Sequence, residues 1–154
     1  MRAFALLLVL LLAPLGAGAA ELKLTTWNLE WLTLRRAGDA ALPPDVRPKG
    51  ADERALLLRY AEELAADVVA FQEVDGPEAA TTVFAAPRYM LHFTRDRVVQ
   101  RVGFAVRQGL RFTANPDLAT LNVTPGAPHP LRASADITLE LPGGRLRLLA
   151  VHLK

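Results

Sequence analysis

A chain of 154 residues, 51% of them hydrophobic and 22% charged, has the length and apolar content for one domain with its own core. It contains no cysteine, which excludes a fold stapled by disulfides. The formal net charge is +2, about +1 without Arg2, so the pI near 9.4 reflects a small arginine excess rather than a strongly basic domain.

The chain opens with a targeting pattern: Arg2, an apolar run over residues 4–12, and the small residues Ala17, Gly18 and Ala19. We expect residues 1–20 to be a signal peptide cleaved after Ala19 or Ala20, giving a secreted or periplasmic protein. An uncleaved anchor is the alternative, but the run is short for a bilayer and Pro14 and Gly16 interrupt its end. No stable membrane insertion is expected after cleavage.

Residues 22–27 then read as a strand with Leu22 and Leu24 on one face. Residues 35–51 hold Gly38, Pro43, Pro44, Pro48 and Gly50, too many breakers for anything but a loop. Asp52 can cap a helix in which Leu57, Tyr60, Ala61 and Leu64 recur at helical spacing, leaving Arg59, Glu62 and Glu63 to water. Residues 68–71 are a continuous apolar run suited to a strand buried on both faces. Pro77 can start a short helix over 77–85 that Pro87 ends. Strands are predicted at 89–94, 102–106, 135–141 and 146–153, the last two joined by a turn at Pro142, Gly143 and Gly144. Early helices between strands and later hairpins predict a mixed α/β (α+β) architecture, without repeats or a second-domain linker.

Three segments carry chemistry. TTWNLEWL (25–32), VVAFQEV (68–74) and RLLAVHLK (147–154) each place polar groups at or just past the end of an apolar strand: Asn28 with Glu30, Glu73, and His152. Strand ends are where α/β enzymes assemble sites. Glu73 is an oxygen ligand suited to Mg²⁺, which takes one or two carboxylates and keeps several waters; its plain alternative is a strand-end carboxylate in a salt bridge. The Asn28 amide can donate to a phosphate oxygen or accept from a metal-bound water, or simply close a strand turn. His152 can donate to a phosphate as charge develops, or be a neutral core histidine. His92, in an apolar strand, and His129, between two prolines, read as packing and loop residues.

The order W-N, then Q-E, then a strand ending in H resembles the endonuclease/exonuclease/phosphatase superfamily, the DNase I-like phosphohydrolases. The Gly-centred stretch at residues 100–106 adds to the likeness, which covers residues 22–154. The resemblance implies a DNase I-like four-layer α/β sandwich, with this chain supplying about one sheet and its outer helices. The inner face of that sheet would then lack a partner. It also implies that residues 21–154 are the N-terminal part of such a domain, since the family's Asp-x-Asn and terminal Asp-His pairs have no counterpart here.

By the same resemblance Glu73 binds the metal, Asn28 positions phosphate and metal-bound water, and His152 completes a catalytic set. Glu30 is either an acidic residue near the metal or a solvated glutamate at a helix start. Arg132 is either a phosphate contact or a surface cation. The implied cofactor is Mg²⁺, with Mn²⁺ or Ca²⁺ as substitutes. The implied activity is metal-dependent hydrolysis of a phosphodiester, foremost nucleic acid, by an exported nuclease; residues 21–154 without the family's base are expected to turn over little. Sphingomyelinase-like or phosphoinositide-phosphatase members share these motifs, and a non-catalytic phosphate-binding remnant is the reading of a different class. No protein partner is implied. Arg35, Arg36, Arg47 and Lys49 make the long loop a candidate for an anionic ligand. Arginine suits phosphate through its planar fork, but GC-rich coding gives the same arginine bias, so composition neither requires nor excludes nucleic acid.

Overall fold

The structure, a computed structural model, describes residues 21–119 and 132–153. The expected signal peptide, His129 and Lys154 lie outside the described residues. Among the described residues seven strands and two helices run in the order β1 (Leu24–Leu32), α1 (Ala51–Leu64), β2 (Val68–Val74), α2 (Pro77–Ala80), β3 (Tyr89–Phe93), β4 (Arg101–Arg107), β5 (Arg111–Ala114), β6 (Ala135–Leu141) and β7 (Gly144–Ala150). They form a four-stranded mixed sheet, β1-β2-β4-β3, and a three-stranded sheet, β5-β6-β7. β1 and β2 are parallel, and every other pairing is antiparallel.

Period-two alternation places successive side chains of β2 and β4 on opposite faces of the first sheet, and both faces are buried. On one side Val69, Phe71 and Ala105 pack with Leu29, Phe84 and Tyr89 beneath Ala61 of α1 and Ala79 and Ala80 of α2. On the other, Val68, Val102, Phe104 and Val106 meet Ala135, Ile137, Leu139 and Ala150 of the second sheet. The molecule is therefore layered helix, sheet, sheet.

This corrects the expectation of one sheet with a bare inner face. The hairpin β6–β7 turns away from the first sheet and gains β5 as a third strand. The alternation of Ile137 and Leu139 with Asp136 and Thr138 then aims its apolar face inward. β5, only four residues long with one apolar side chain larger than alanine, gave no strand signal in the sequence.

Gly103 holds the first sheet together at its centre. It pairs with Phe71 on β2 and with Phe93 on β3, and those two rings approach to 4.9 Å between centroids. A Cβ at residue 103 would lie 2.2 Å from the His92 carbonyl oxygen and 2.5 Å from Phe71 Cζ. No side chain fits there, so glycine is dictated by the close approach rather than by backbone angles.

Several boundaries differ from expectation. β1 continues past Trp27 to Leu32 because a bulge, rather than a turn, follows Asn28. Helix α1 starts at Ala51, with Glu53 rather than Asp52 capping: its carboxylate accepts from the Gly50 N–H at 2.8 Å. The bond from Arg47 and that from Gly50 lower the Glu53 pKa to about 2. Tyr60 is 46% exposed, and Leu57 and Ala61 carry the buried face. α2 stops at Ala80 instead of 85. The β6–β7 turn is Pro142-Gly143, with Leu141 already paired to Gly144. Among the described residues no helix is long and apolar enough to cross a membrane.

Candidate functional site

Two neighbouring strands depart from regular geometry at the same level. The β1–β2 register runs evenly from Leu24↔Val68 to Asn28↔Gln72, then shifts before Leu32↔Val74. The β2–β4 register shifts between Gln72 and Val74. The bulges contain three non-glycine residues at positive φ: Glu30 at 46°, Trp31 at 57° and Glu73 at 62°. Such backbones cost about 1–3 kcal/mol each and persist only where surrounding bonds impose them.

Those bonds are present. The Glu30 N–H donates to Asn28 Oδ1 at 2.8 Å. Lys49 Nζ donates to the Glu30 carbonyl at 2.5 Å and stands 3.4 Å from its carboxylate. One residue past β2, the Asp75 N–H donates to the Leu32 carbonyl at 2.9 Å, and the Asp75 carboxylate accepts from Thr33 Oγ1 and Arg35 Nε, each at 2.7 Å. The loop at 35–50 is thereby tied to the strand ends it surrounds.

The double bulge turns Asn28 and Glu73 toward each other across 45 residues of sequence, with Asn28 Nδ2 donating to Glu73 Oε1 at 3.0 Å. Just past β7, His152 places Nε2 3.4 Å from the same oxygen. Arg132 closes the far side. Its Nη1 contacts His152 Nδ1, and its Nη2 donates to Gln100 Oε1 at 2.8 Å. Beneath them Gln72 Nε2 donates to Thr26 Oγ1 and to the Ala70 carbonyl, both at 3.2 Å, so β1 and β2 are also bonded through side chains at the base of the site.

These contacts fix the protonation of His152. A guanidinium only donates, so Nδ1 must accept, and the ring proton sits on Nε2, facing Glu73. Burial, then the adjacent Arg132 charge, push the His152 pKa below its ordinary value against the pull of Glu73. The imidazole is thus a neutral donor at neutral pH. Burial also lowers the Arg132 pKa, opposed by Glu73 and Asp96, without bringing it near neutrality.

Of the residues singled out in the sequence, Asn28, Glu73, His152 and Arg132 come together. Glu30 contributes its backbone N–H, while its carboxylate is 86% exposed and faces Lys49; it lies in the bulge of β1, not at a helix start. Gln100, which anchors Arg132, is not among the sequence candidates, and Lys49, a candidate there for an anionic ligand, instead holds the bulge. Their only signal for these roles was position, Gln100 opening the Gly-centred strand and Lys49 standing in the loop. That loop is less cationic than it reads: Arg35 is paired with Asp75 and Asp39, Arg47 with Glu53, and Lys49 with Glu30.

The donor set limits what cation could be held. Among the described residues no group of three or more His, Asp or Glu side chains converges as a metal cage. The Glu73 carboxylate is the charged oxygen ligand of the site, and Asn28 Oδ1, which accepts one bond from the Glu30 N–H, keeps a second lone pair. One carboxylate fits Mg²⁺, which fills its other positions with water and substrate oxygens, and does not fit a zinc site. A divalent cation beside Glu73 would make the site complementary to a phosphate ester.

No protein-family model matches this chain, and no curated protein matches it.

Proposed function

We propose that the chain is a DNase I-like metal-dependent phosphohydrolase of the endonuclease/exonuclease/phosphatase superfamily, exported and acting on phosphodiesters. The observation that carries this reading is the convergence of Asn28, Glu73, His152 and Arg132, spread over 124 positions, on one oxygen-rich point where two facing sheets end. A salt bridge or a buried histidine alone would not require the strained double bulge that brings them there. Two sheets packed face to face, with helices outside the first, agree with the sandwich that the motifs imply.

The residues divide the work as their protonation allows. Asn28 Nδ2–H donates to Glu73 Oε1, and His152 Nε2 stands 3.4 Å from the same oxygen. Glu73 would hold the cation, and the Asn28 amide and the His152 Nε2–H would be the donors available to the non-bridging oxygens of a phosphate. Arg132 adds a fixed positive charge, and Gln100 keeps its fork in place. His152 is not the general base, because Arg132 occupies its Nδ1 lone pair. It is a donor whose bond strengthens as the phosphoryl oxygens gain charge. The Mg²⁺ would supply an acidified water and charge neutralisation at phosphorus.

Manganese binding read by electron paramagnetic resonance, with and without inorganic phosphate, tests the site directly. The expected result is phosphate-enhanced Mn²⁺ binding that Glu73→Gln abolishes and His152→Ala weakens. Mn²⁺ binding that is absent, or indifferent to Glu73→Gln, refutes the reading. Binding without any cleavage of a diester by the whole protein would favour the non-catalytic remnant.

A further inference from the structure

We infer that the cleft beside this site is a stacking subsite for a nucleobase attached to the bound phosphate, an inference that rests on the phosphodiester reading above. The cleft, about 390 Å³, shares Arg132 and Gln100 with the site and is walled by Trp31, Pro43, Val98 and Val99. It thus reaches the Arg132 end of the phosphate site and is lined elsewhere by one aromatic side chain, the aliphatic Ala41, Pro43, Val98 and Val99, and the cationic Arg97. That combination suits a planar heterocycle, whose faces stack and whose edges meet an amide and a guanidinium. A lipid chain would meet three polar side chains there, Arg97, Gln100 and Arg132, two of them cationic.

The backbone is a second, independent observation. Trp31 sits at φ 57°, directly after Glu30 at 46°. Glycine or asparagine adopts this conformation at little cost, whereas a bulky aromatic residue there is a genuine outlier. The bulge needs one of its residues to reverse the chain, not an indole. The indole is explained by where it goes: it lines the cleft three residues from Asn28, held by the Lys49 bond to the Glu30 carbonyl. The 390 Å³ also falls within the volume range of small-molecule sites.

The chain has two tryptophans, and Trp27 packs edge-on against Phe84 on the helix side of the first sheet, so quenching reports Trp31 separately. Thymidine 5′-monophosphate and inorganic phosphate are titrated into the full chain with Ca²⁺, following tryptophan fluorescence and heat. The nucleotide is expected to bind about tenfold more tightly than phosphate and to quench fluorescence in Trp27→Phe as in the parent. Trp31→Leu removes that tenfold gain, bringing the ratio of nucleotide to phosphate affinity to about one. Ala41→Trp, which puts a bulky side chain at another residue lining the cleft, must do the same, so a folding defect in one variant cannot decide the outcome. Equal affinity for nucleotide and phosphate, or parallel loss of both in Trp31→Leu and Ala41→Trp, overturns the stacking subsite while phosphate binding stands. Binding of neither ligand overturns the phosphodiester reading itself, and the subsite with it.

Discussion

Replacing Gly103 by alanine should be the most damaging single methyl that can be added to the first sheet. The new Cβ would stand 2.2 Å from the His92 carbonyl oxygen and 2.5 and 2.8 Å from two atoms of the Phe71 ring. Carbon–oxygen and carbon–carbon contacts relax only near 3.4 Å or beyond, so about 1 Å must be recovered on both sides. The ring is wedged between Phe84 at 5.7 Å and Phe93 at 4.9 Å, and the carbonyl belongs to a strand paired along its length with β4. Neither can move alone. Overpacking a close-packed core costs about 1–3 kcal/mol, and here the obstruction is backbone, so about 3 kcal/mol or more is expected. For a chain of this size that lowers the melting temperature by roughly 6–12 °C. Urea unfolding followed by circular dichroism measures it, with Gly143→Ala as the control because a Cβ there meets nothing within 4 Å. A Gly103→Ala cost below about 0.5 kcal/mol would refute the packing argument. Because β2 carries Glu73 and β4 is its neighbour, the same variant should also weaken the metal and phosphate binding proposed above.

Three further outcomes follow from the site and its surroundings. Lys49→Met removes the donor to the Glu30 carbonyl and should cost about 1–2 kcal/mol, with increased amide exchange at Glu30 and Trp31; unchanged exchange would mean the bulge is self-sufficient. Arg132→Gln should raise the His152 pKa, because the Arg132 charge depresses it, and a ¹H–¹⁵N titration of the imidazole that moves the other way would contradict the assigned contacts. His92 and His152 both have pKa values lowered by burial, so the unfolded chain binds protons that the folded one refuses. Stability should therefore be fully present above the ordinary histidine pKa of about 6.5 and decline as pH falls below it. His92→Phe should flatten that decline and be neutral or stabilising at pH 7, since Nε2 of His92 is buried without a partner and its ring stands edge-on to Phe112; an unchanged acid limb would assign the effect elsewhere.

By itself the sequence determined the elements whose periodicity is strong. Residues 68–71 are apolar without interruption because β2 is buried on both faces, and Leu57, Ala61 and Leu64 repeat because α1 has one buried side. Ala135–Leu141 alternates as one face of a sandwich must, and the Pro-Gly pair marks its turn. Asn28, Glu73 and His152 were also legible as candidates, because polar groups at the ends of buried strands stand out against apolar neighbours, whereas Arg132 was a candidate only through the family resemblance. Tertiary structure alone decided what those residues do to one another. Only pairing across strands reveals that β1 and β2 bulge at the same level, that three non-glycine residues are held at positive φ, and that Arg132 fixes the His152 tautomer. Only packing closes the Phe71 and Phe93 rings over Gly103, covers the first sheet with a second one, and uses the loop cations as internal ties. The physical reason is range: periodicity and capping are set by residues within a turn or a strand of each other, whereas a site joining residues 28, 73, 132 and 152 exists only once contacts distant in sequence have formed.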